Sequence, residues 1–163
     1  MIKKNERQVA GNVAMADGET EDFVTFTIAD QLFGIPVLLV QDVLSSYQIT
    51  RIPLAPPEIT GSLNLRGRVV TAIDVRIRLG LEPRAEGAES MSIVAETDGE
   101  LYSLLVDSVG EVLPLSSVNY ERNPATLDVK LRSFSAGIYR LDHGLLVVLD
   151  VKRLLDYAHE NVA

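Results

Sequence analysis

The chain has 163 residues, of which 47% are hydrophobic and 23% charged, the composition of a globular protein of one or two small domains. It carries 15 Lys and Arg against 23 Asp and Glu, and the net charge of −8 argues against nucleic-acid binding. The absence of cysteine excludes disulfides, thiolate metal sites and a cysteine nucleophile. The sequence shows neither an apolar run of ~20 residues nor a signal-peptide core, which predicts a cytoplasmic protein without membrane insertion.

Strand and helix patterns begin after a polar stretch. Residues 1–21 show no periodicity and predict a mobile tail before an ordered region over residues 22–160. Alternation over residues 23–28 predicts a strand, and residues 32–37 predict a second. Apolar residues at i, i+3 and i+7 over residues 37–44 predict a short helix.

A proline-punctuated region follows. Residues 48–52 are interpreted as a strand, and residues 57–61 as one helical turn closed by glycine. Residues 62–65 and 68–73 predict a hairpin about Arg66-Gly67.

The middle of the chain contains a helix signal and a linker signal. Asp74 is placed to cap a helix that runs to Leu79. Residues 82–90 (EPRAEGAES) have the composition of a linker. Residues 91–96 and 101–106 predict a second hairpin, about Asp98-Gly99.

The second half of the ordered region repeats the first. The apolar pattern of residues 32–43 recurs 69 positions later. Gly61 and Asp74 recur as Gly137 and Asp150, 76 positions later, with each Asp at a strand-to-helix junction. An Asp at a strand-to-helix junction, 13 residues after a Gly in both halves, is harder to obtain by chance than apolar identity.

The repeat predicts the fold class. We expect two copies of one all-β unit with short helices, over residues 22–84 and 88–160. Short strands at this spacing are typical of barrels or sandwiches. Because a unit of this size is marginal alone, the two copies should share apolar surface as two closely packed small barrels.

The candidate chemical residues favour structural roles. Asp74 and Asp150 end apolar strands, where a phospho-accepting carboxylate lies in some signalling domains, but the acidic neighbours that would hold a divalent cation are missing, so helix capping is the favoured interpretation. His143 lies in a predicted turn as a solvated side chain. The sequence has no nucleophile elbow, phosphate loop or dinucleotide fingerprint. It therefore predicts no catalytic, metal-binding or cofactor-binding residues and no enzymatic activity.

Two further groups of residues stand out. A set of arginines is interpreted as a solvated basic face rather than a nucleic-acid site: Arg66, Arg68, Arg76 and Arg78. A surplus of leucines either fills the seam between the halves or contacts partners: Leu38, Leu39, Leu113, Leu115, Leu145 and Leu146.

Several stretches resemble CheW-like domains, in order and over residues 22–157. The most specific is residues 61–67 (GSLNLRG), followed by residues 73–76 (IDVR). Residues 40–43 (VQDV), 50–53 (TRIP) and 106–113 (VDSVGEVL) complete the resemblance.

The resemblance implies a fold and a function. It implies two five-stranded, SH3-like β-barrels around a shared apolar core. It also implies a non-catalytic cytoplasmic adaptor, recruited to receptor arrays at the inner face of the membrane. Its partners would be methyl-accepting chemotaxis receptors and the histidine kinase CheA, whose regulatory domain is itself CheW-like. Two alternatives stay open: an adaptor of a chemosensory-like pathway that does not control motility, and a phospho-accepting signalling domain.

The resemblance also implies a receptor-binding site near Val40, Asp42 and Arg66. The family commonly has Glu where this sequence has the shorter Asp42. We expect Asp42 to fix the Arg66 guanidinium and so to orient the predicted helix that carries Val40.

Overall fold

The computed structural model describes residues 19–162, with side chains to residue 156, so most of the predicted tail lies outside the described residues. The strands are β1 (Thr20–Ile28), β2 (Gln31–Pro36), β3 (Val40–Leu44), β4 (Ile59–Leu65), β5 (Arg68–Asp74), β6 (Met91–Thr97), β7 (Glu100–Val106), β8 (Ser108–Ser116), β9 (Tyr120–Glu121), β10 (Ser135–Leu141) and β11 (Gly144–Leu149). The helices are α1 (Val75–Arg78), α2 (Val129–Ser133) and α3 (Val151–Val162), and 3₁₀ turns cover Val37–Leu39 and Ser117–Asn119. Thr20 and Glu21, which were assigned to the tail, already belong to β1. Within the described residues, no helix is long and apolar enough to cross a membrane.

The strands form two sheets, which confirms the all-β class. Sheet A has the order β8-β1-β2-β11-β10-β9, and sheet B has the order β3-β6-β7-β5-β4. The sixth strand of sheet A, β9, has only two residues. The remaining five strands of sheet A occupy the same relative places as the five of sheet B.

The two halves of the chain exchange their first hairpins. Hairpin β1–β2 comes from the first half but pairs with β8 and, in parallel, with β11 of the second half. Hairpin β6–β7 comes from the second half but pairs with β3 and, in parallel, with β5 of the first half. Each sheet is therefore built from both halves of the sequence.

The strand registers follow the repeat residue by residue. In sheet B, Val43 pairs with Ile93, and in sheet A the residues displaced by 69 positions, Val112 and Val24, pair with each other. The β3–β6 pair has a register shift between Val40 and Asp42, and the β1–β8 pair has one at the corresponding place, between Val24 and Phe26. The sequence repeat is therefore a quasi-twofold relation between the sheets, and residues that it relates are called quasi-equivalent below.

A glycine in each sheet lets the chain close that sheet. Thr50 exchanges backbone hydrogen bonds of 2.7 and 2.8 Å with Ser62 of β4. A Cβ on neighbouring Gly61 would lie 2.2 Å from the Thr50 carbonyl oxygen. The quasi-equivalent Gly137 leaves room for the Tyr120 ring, which a Cβ would approach to 2.4 Å. At both positions a side chain would collide with the segment that crosses the strand.

One apolar core lies between the sheets and the helices. Phe26 and Phe33 of hairpin β1–β2 stack with ring centroids 5.6 Å apart and are buried with Leu104 of β7. Leu79, which ends α1, and Leu154 of α3 close the same core. A smaller cluster on the other face of sheet A contains Phe23, Leu115, Tyr139, Leu146 and Val148. Sheet A therefore buries side chains on both of its faces, and the shared core joins it to sheet B.

Three predictions between residues 37 and 61 are wrong. The helix predicted over residues 37–44 is a 3₁₀ turn followed by β3. Residues 48–52 form a single bridge at Thr50 rather than a strand. Of the helical turn predicted over residues 57–61, only residues 57–58 form a turn, and residues 59–61 are the start of β4. Over residues 37–44, pairing of β3 with the distant β6 overrides a local pattern that fits several structures.

The surplus leucines divide between the core and the surface. Leu115 and Leu146 are buried. Leu39, Leu113 and Leu145 are half-buried against the clusters, while Leu38 is largely exposed.

The hairpin exchange predicts that neither half folds alone. We expect fragments 22–84 and 88–160 to be poorly structured when separated, because each hairpin then lacks the strands that it pairs with. The intact chain should unfold in one thermal transition, and mixing the two fragments should recover β-sheet circular dichroism. Two resolved transitions, or a fragment that folds cooperatively alone, would contradict the shared core.

Candidate functional site

The predicted site lies where the two edge strands of sheet B approach each other. β3 and β4 stand at opposite ends of the hydrogen-bonded order of sheet B. Asp42 is in the middle of β3, and its Oδ1 accepts a 2.8 Å hydrogen bond from the Val43 amide. This local bond fixes the direction of the carboxylate.

The turn between β4 and β5 aims Arg66. Arg66 and Gly67 have φ angles of +52° and +86°, which identify the type I′ turn that suits a two-residue hairpin. The Asn64 side-chain oxygen accepts a 3.0 Å hydrogen bond from the Gly67 amide and holds the turn closed. Residues 64–67 (NLRG) therefore encode the position of the arginine.

Arg66 and Asp42 form an ion pair across this gap. Arg66 Nη2 lies 2.8 Å from Asp42 Oδ2, with 75% of the arginine side chain and 23% of the aspartate side chain exposed. The structure therefore brings together the two predicted residues, and the shorter Asp42 reaches the guanidinium. The pair ties β3 to the β4–β5 turn and presents a fixed positive group to solvent.

Val40 is placed differently from the other two predicted residues. It is half-buried and packs against the shared core. The element that carries it is a strand, so the expectation of a helix oriented by Arg66 is wrong. The exposed apolar residues of this region are Val43 on β3 and Val69 on β5, which the sequence analysis did not single out.

The quasi-equivalent position in sheet A lacks the ion pair. Glu111 of β8 takes the place of Asp42, and Asp142 takes the place of Arg66. Both residues are exposed, and both side chains are acidic. Two carboxylates cannot form the bridge, so the arrangement is particular to sheet B.

A second polar cluster, which the sequence analysis missed, joins the sheets at Asp107. This residue lies between β7 of sheet B and β8 of sheet A. Its carboxylate accepts bonds of 2.9 and 2.8 Å from Arg76, 3.0 Å from Arg84 and 2.8 Å from the Ala29 amide. The Arg76 hydrogen bonds lower the pKa of Asp107 well below its ordinary value, and Arg84 and Ala29 add to the effect.

The arginines predicted to form one basic face are divided between two roles. Arg66 and Arg68 are exposed at the β4–β5 turn. Arg76 is bound to Asp107 and has 18% of its side chain exposed. Arg78 donates a 2.7 Å hydrogen bond to the Leu154 carbonyl. The prediction of a single solvated face is therefore wrong, and the α1 arginines fasten structural elements together.

Arg84 shows that the predicted linker is tied down. Residues 82–90 have no regular secondary structure, but the Arg84 side chain is mostly buried between Asp107 and Asp74. A single arginine in a linker composition gives no signal of this contact, because its partner lies 23 positions away.

The two repeated aspartates cap helices. Asp74 Oδ1 accepts from the Arg76 amide at 3.0 Å, and Asp150 Oδ1 accepts from the Arg153 amide at 3.1 Å. Both distances fit N-cap hydrogen bonds. Within residues 19–162 there is no group of three or more His, Asp or Glu side chains that could hold a metal ion.

Comparison with known proteins identifies what the chain is similar to. The sequence profile of the CheW-like domain matches residues 22–159. A probable chemotaxis protein CheW from Rhizobium etli is 28% identical over 142 residues, covering 87% of this chain and 92% of the relative. The chemotaxis protein CheW of Klebsiella aerogenes is 29% identical over 145 residues, covering 88% and 87%. The crystal structure of the scaffolding protein TtCheW from Thermoanaerobacter tengcongensis superposes with a TM-score of 0.72 at 32% identity, covering 80% of this chain and 88% of that one.

The Asp107 cluster predicts a pH-dependent contribution to stability. Because the folded-state pKa of Asp107 lies below the unfolded value of about 3.9, its stabilisation is present above pH ~4 and is lost as the pH falls toward the folded value. Asp107→Asn should lower the free energy of unfolding by roughly 3 kcal/mol at pH 7, since it removes the carboxylate that pairs with Arg76 and leaves Arg84 with only the 3.5 Å contact to Asp74. Urea denaturation at pH 7, 5 and 3 should show that the difference in free energy of unfolding between the parent protein and Asp107→Asn becomes smaller below pH 4.

Asp98→Asn is the matched control for Asp107→Asn. Asp98 is exposed and its nearest cation, Lys152 Nζ, is 3.9 Å away. We expect this control to change stability by less than about 0.5 kcal/mol. If the difference in free energy of unfolding between the parent protein and Asp107→Asn stayed constant with pH, the lost stability would arise from packing and not from the carboxylate charge.

Proposed function

The chain belongs to the CheW-like domain family of chemotaxis scaffold proteins, and we propose that it couples methyl-accepting chemoreceptors to the histidine kinase CheA. In this proposal it is a non-catalytic adaptor that is recruited to receptor arrays at the inner face of the membrane. The observation that carries the receptor side of the proposal is the Asp42–Arg66 ion pair on sheet B.

The ion pair adds little to the stability of the fold, so stability alone does not explain why the positions of its two side chains are fixed. A pair whose arginine is three-quarters exposed adds about 0–1 kcal/mol to stability. Charges at the rim of an interface, however, often determine register and specificity. The turn geometry fixes the direction of the Arg66 side chain, and the hydrogen bond from the Val43 amide fixes that of the Asp42 carboxylate, before any partner binds.

The surroundings of the ion pair support a protein partner. Val43 and Val69 are exposed apolar side chains on the two strands that the pair joins or adjoins. Exposed apolar side chains together with a charge of fixed direction are a common combination in protein interfaces. Val40 is assigned a positioning role, because its half-buried side chain anchors the start of β3 to the core.

The chemical inventory agrees with a scaffold that acts by binding. The carboxylates that resemble phospho-acceptors, Asp74 and Asp150, are engaged by helix amides. Asp74 also lies 3.5 Å from Arg84. An adaptor requires separate partner surfaces and not a reaction centre.

Charge reversal at Arg66 tests the receptor assignment. We expect Arg66→Glu to leave the thermal midpoint nearly unchanged, because an exposed pair adds little to stability, and to retain binding to the isolated CheA regulatory domain. Receptor-dependent activation of the kinase should be lost, because the variant places a second negative charge beside Asp42. Binding to the regulatory domain and kinase activity on receptor-containing membranes are measured for the same preparation.

A double variant and a neighbouring control sharpen this test. Asp42→Arg with Arg66→Glu restores an opposite-charge pair and should recover part of the activation. Arg68→Glu changes the same net charge two residues away, outside the ion pair, and should have the smaller effect. Equal loss of binding to both partners by Arg66→Glu would show that the receptor-side assignment is wrong.

The absence of catalysis is tested with labelled ATP. The purified protein should neither hydrolyse ATP nor accept phosphate from the kinase, because its strand-end carboxylates serve as helix caps. It should nevertheless raise kinase autophosphorylation when receptors are present. Stoichiometric, acid-labile phosphate on this chain would rule out a purely scaffolding role.

A further inference from the structure

The sulfur of Met91 links the two sheets. Met91 is the first residue of β6 in sheet B, and its Sδ accepts a 3.3 Å hydrogen bond from the amide of Val109 in β8 of sheet A. Both side chains also pack against the shared core. A thioether sulfur is only a weak acceptor, whereas a strand amide is ordinarily satisfied by a carbonyl oxygen. The contact between the sheets at this point therefore depends on an atom that can be oxidised.

The quasi-equivalent amide shows that the fold does not require sulfur at this place. Val40 corresponds to Val109, and its amide donates a hydrogen bond to the Val37 carbonyl in the preceding 3₁₀ turn. Asp22 takes the place of Met91 in β1 and is exposed. The same fold thus satisfies the same amide with a backbone carbonyl. The thioether is a particular property of the contact between β6 and β8.

An open cleft leads from solvent to Met91. It has a volume of about 520 Å³, and its lining includes Met91, the carboxylates of Asp107 and Glu89, and several hydroxyl side chains. Tyr47 and Ser90, two of these hydroxyl residues, hydrogen-bond to each other. This lining suits water and small polar molecules rather than an apolar ligand. Met91 is half-buried, so a small uncharged reagent in the cleft can reach its side chain.

The chain offers few other sulfur atoms to an oxidant. It contains no cysteine and three methionines, of which Met1 and Met15 lie outside the described residues. Thiolates are the usual first targets of hydroperoxides, and in a chain without them the thioethers remain. Between residues 19 and 162, sulfur can therefore be oxidised at Met91 alone.

We propose that Met91 is a site of reversible oxidation by hydroperoxides, and that its sulfoxide weakens the contact between β6 and β8. A lone pair of Sδ attacks one oxygen of hydrogen peroxide, so that an S–O bond forms and the O–O bond breaks. The sulfur gives up two electrons to the departing hydroxide, which takes the proton of the transferred oxygen and leaves as water. The oxidation and its effect on the sheets do not depend on which partners the protein binds, so they stand apart from the proposed coupling function.

The sulfoxide fits the place of the thioether poorly for two reasons. An oxygen between Sδ and the Val109 nitrogen does not fit within 3.3 Å, and an oxygen directed into the cleft withdraws electron density from the sulfur, so either orientation weakens the present hydrogen bond. The sulfoxide is also polar, whereas Met91 packs against the apolar core. Asp107, which connects β7 to β8, lines the same cleft. The chain should therefore loosen where it crosses from sheet B to sheet A.

Peptide mass spectrometry after exposure of the intact protein to hydrogen peroxide tests the site itself. We expect Met91 to gain one oxygen atom at a rate within about tenfold of its rate in the urea-unfolded chain, because the cleft leaves the side chain accessible. Methionine sulfoxide reductases should remove that oxygen again. If folding protected Met91 by about a hundredfold or more, the proposal would be wrong.

Two variants assign the effect of oxidation to this side chain. Oxidation of the parent should lower its melting temperature by about 2–4 °C. Met91→Leu keeps the apolar volume without the sulfur, so its melting temperature should not respond to peroxide, although Met1 and Met15 are still present. Met91→Gln places a polar side chain against the core and should reproduce the direction of the shift without any oxidant. An equal response of the parent and Met91→Leu to peroxide would contradict the assignment to Met91.

Amide hydrogen exchange distinguishes a local effect at the β6–β8 contact from general destabilisation. In the oxidised parent and in Met91→Leu, the Val109 amide should exchange about tenfold faster than in the untreated parent, because its acceptor is weakened or missing. The Val40 amide, whose acceptor is a carbonyl, should keep its parent rate. Oxidation of Met91 that left Val109 exchange unchanged, or that accelerated Val109 and Val40 equally, would overturn the proposal.

Discussion

The exchange of hairpins between the two halves is the constraint on which the rest of the structure depends. Strand β2 pairs in parallel with β11, and β5 pairs in parallel with β7, so each sheet needs strands from both halves before it has a complete face. The shared core then forms between surfaces that are themselves composite. Asp107 lies where the chain crosses from sheet B to sheet A, and it binds α1, the 82–90 segment and the β1–β2 turn. Polar and apolar contacts thus enforce the same arrangement.

The backbone follows the quasi-twofold relation closely, whereas the surface departs from it at particular residues. Arg66 faces Asp42 in sheet B, and the quasi-equivalent residues in sheet A are both acidic. Because both sheets fold in the same register, these departures are not needed for folding, and they mark where one sheet has gained a property that the other lacks. Internal repeats therefore provide a comparison within one molecule that separates structural requirements from functional ones.

The sequence alone predicts the features that depend on local chemistry or on the repeat. The Arg66-Gly67 turn, the Asp74 cap and the all-β class follow from turn residues, capping preferences and period-2 patterns. The error over residues 37–44 arises because their apolar spacing fits a short helix and a half-buried strand equally well. The role of Arg84 was beyond prediction, since it depends on a tertiary contact to Asp107. The hairpin exchange was also beyond prediction, because a repeat in sequence does not reveal which copies of the strands pair.

A scaffold protein affects its partners through where it holds them. A surface on a strand can determine where a partner sits only if the rest of the fold holds that strand in place. β4 meets this condition, because β5 pairs with it on one side and Thr50 bridges Ser62 on the other, while Arg66 is tied back to Asp42 at its far end. Weak surface interactions thus become important for coupling even though they add little to stability. The free energy of unfolding and the positioning of a partner are therefore expected to depend on different residues of this chain: the largely buried Asp107 cluster for the first, and the exposed Arg66 for the second.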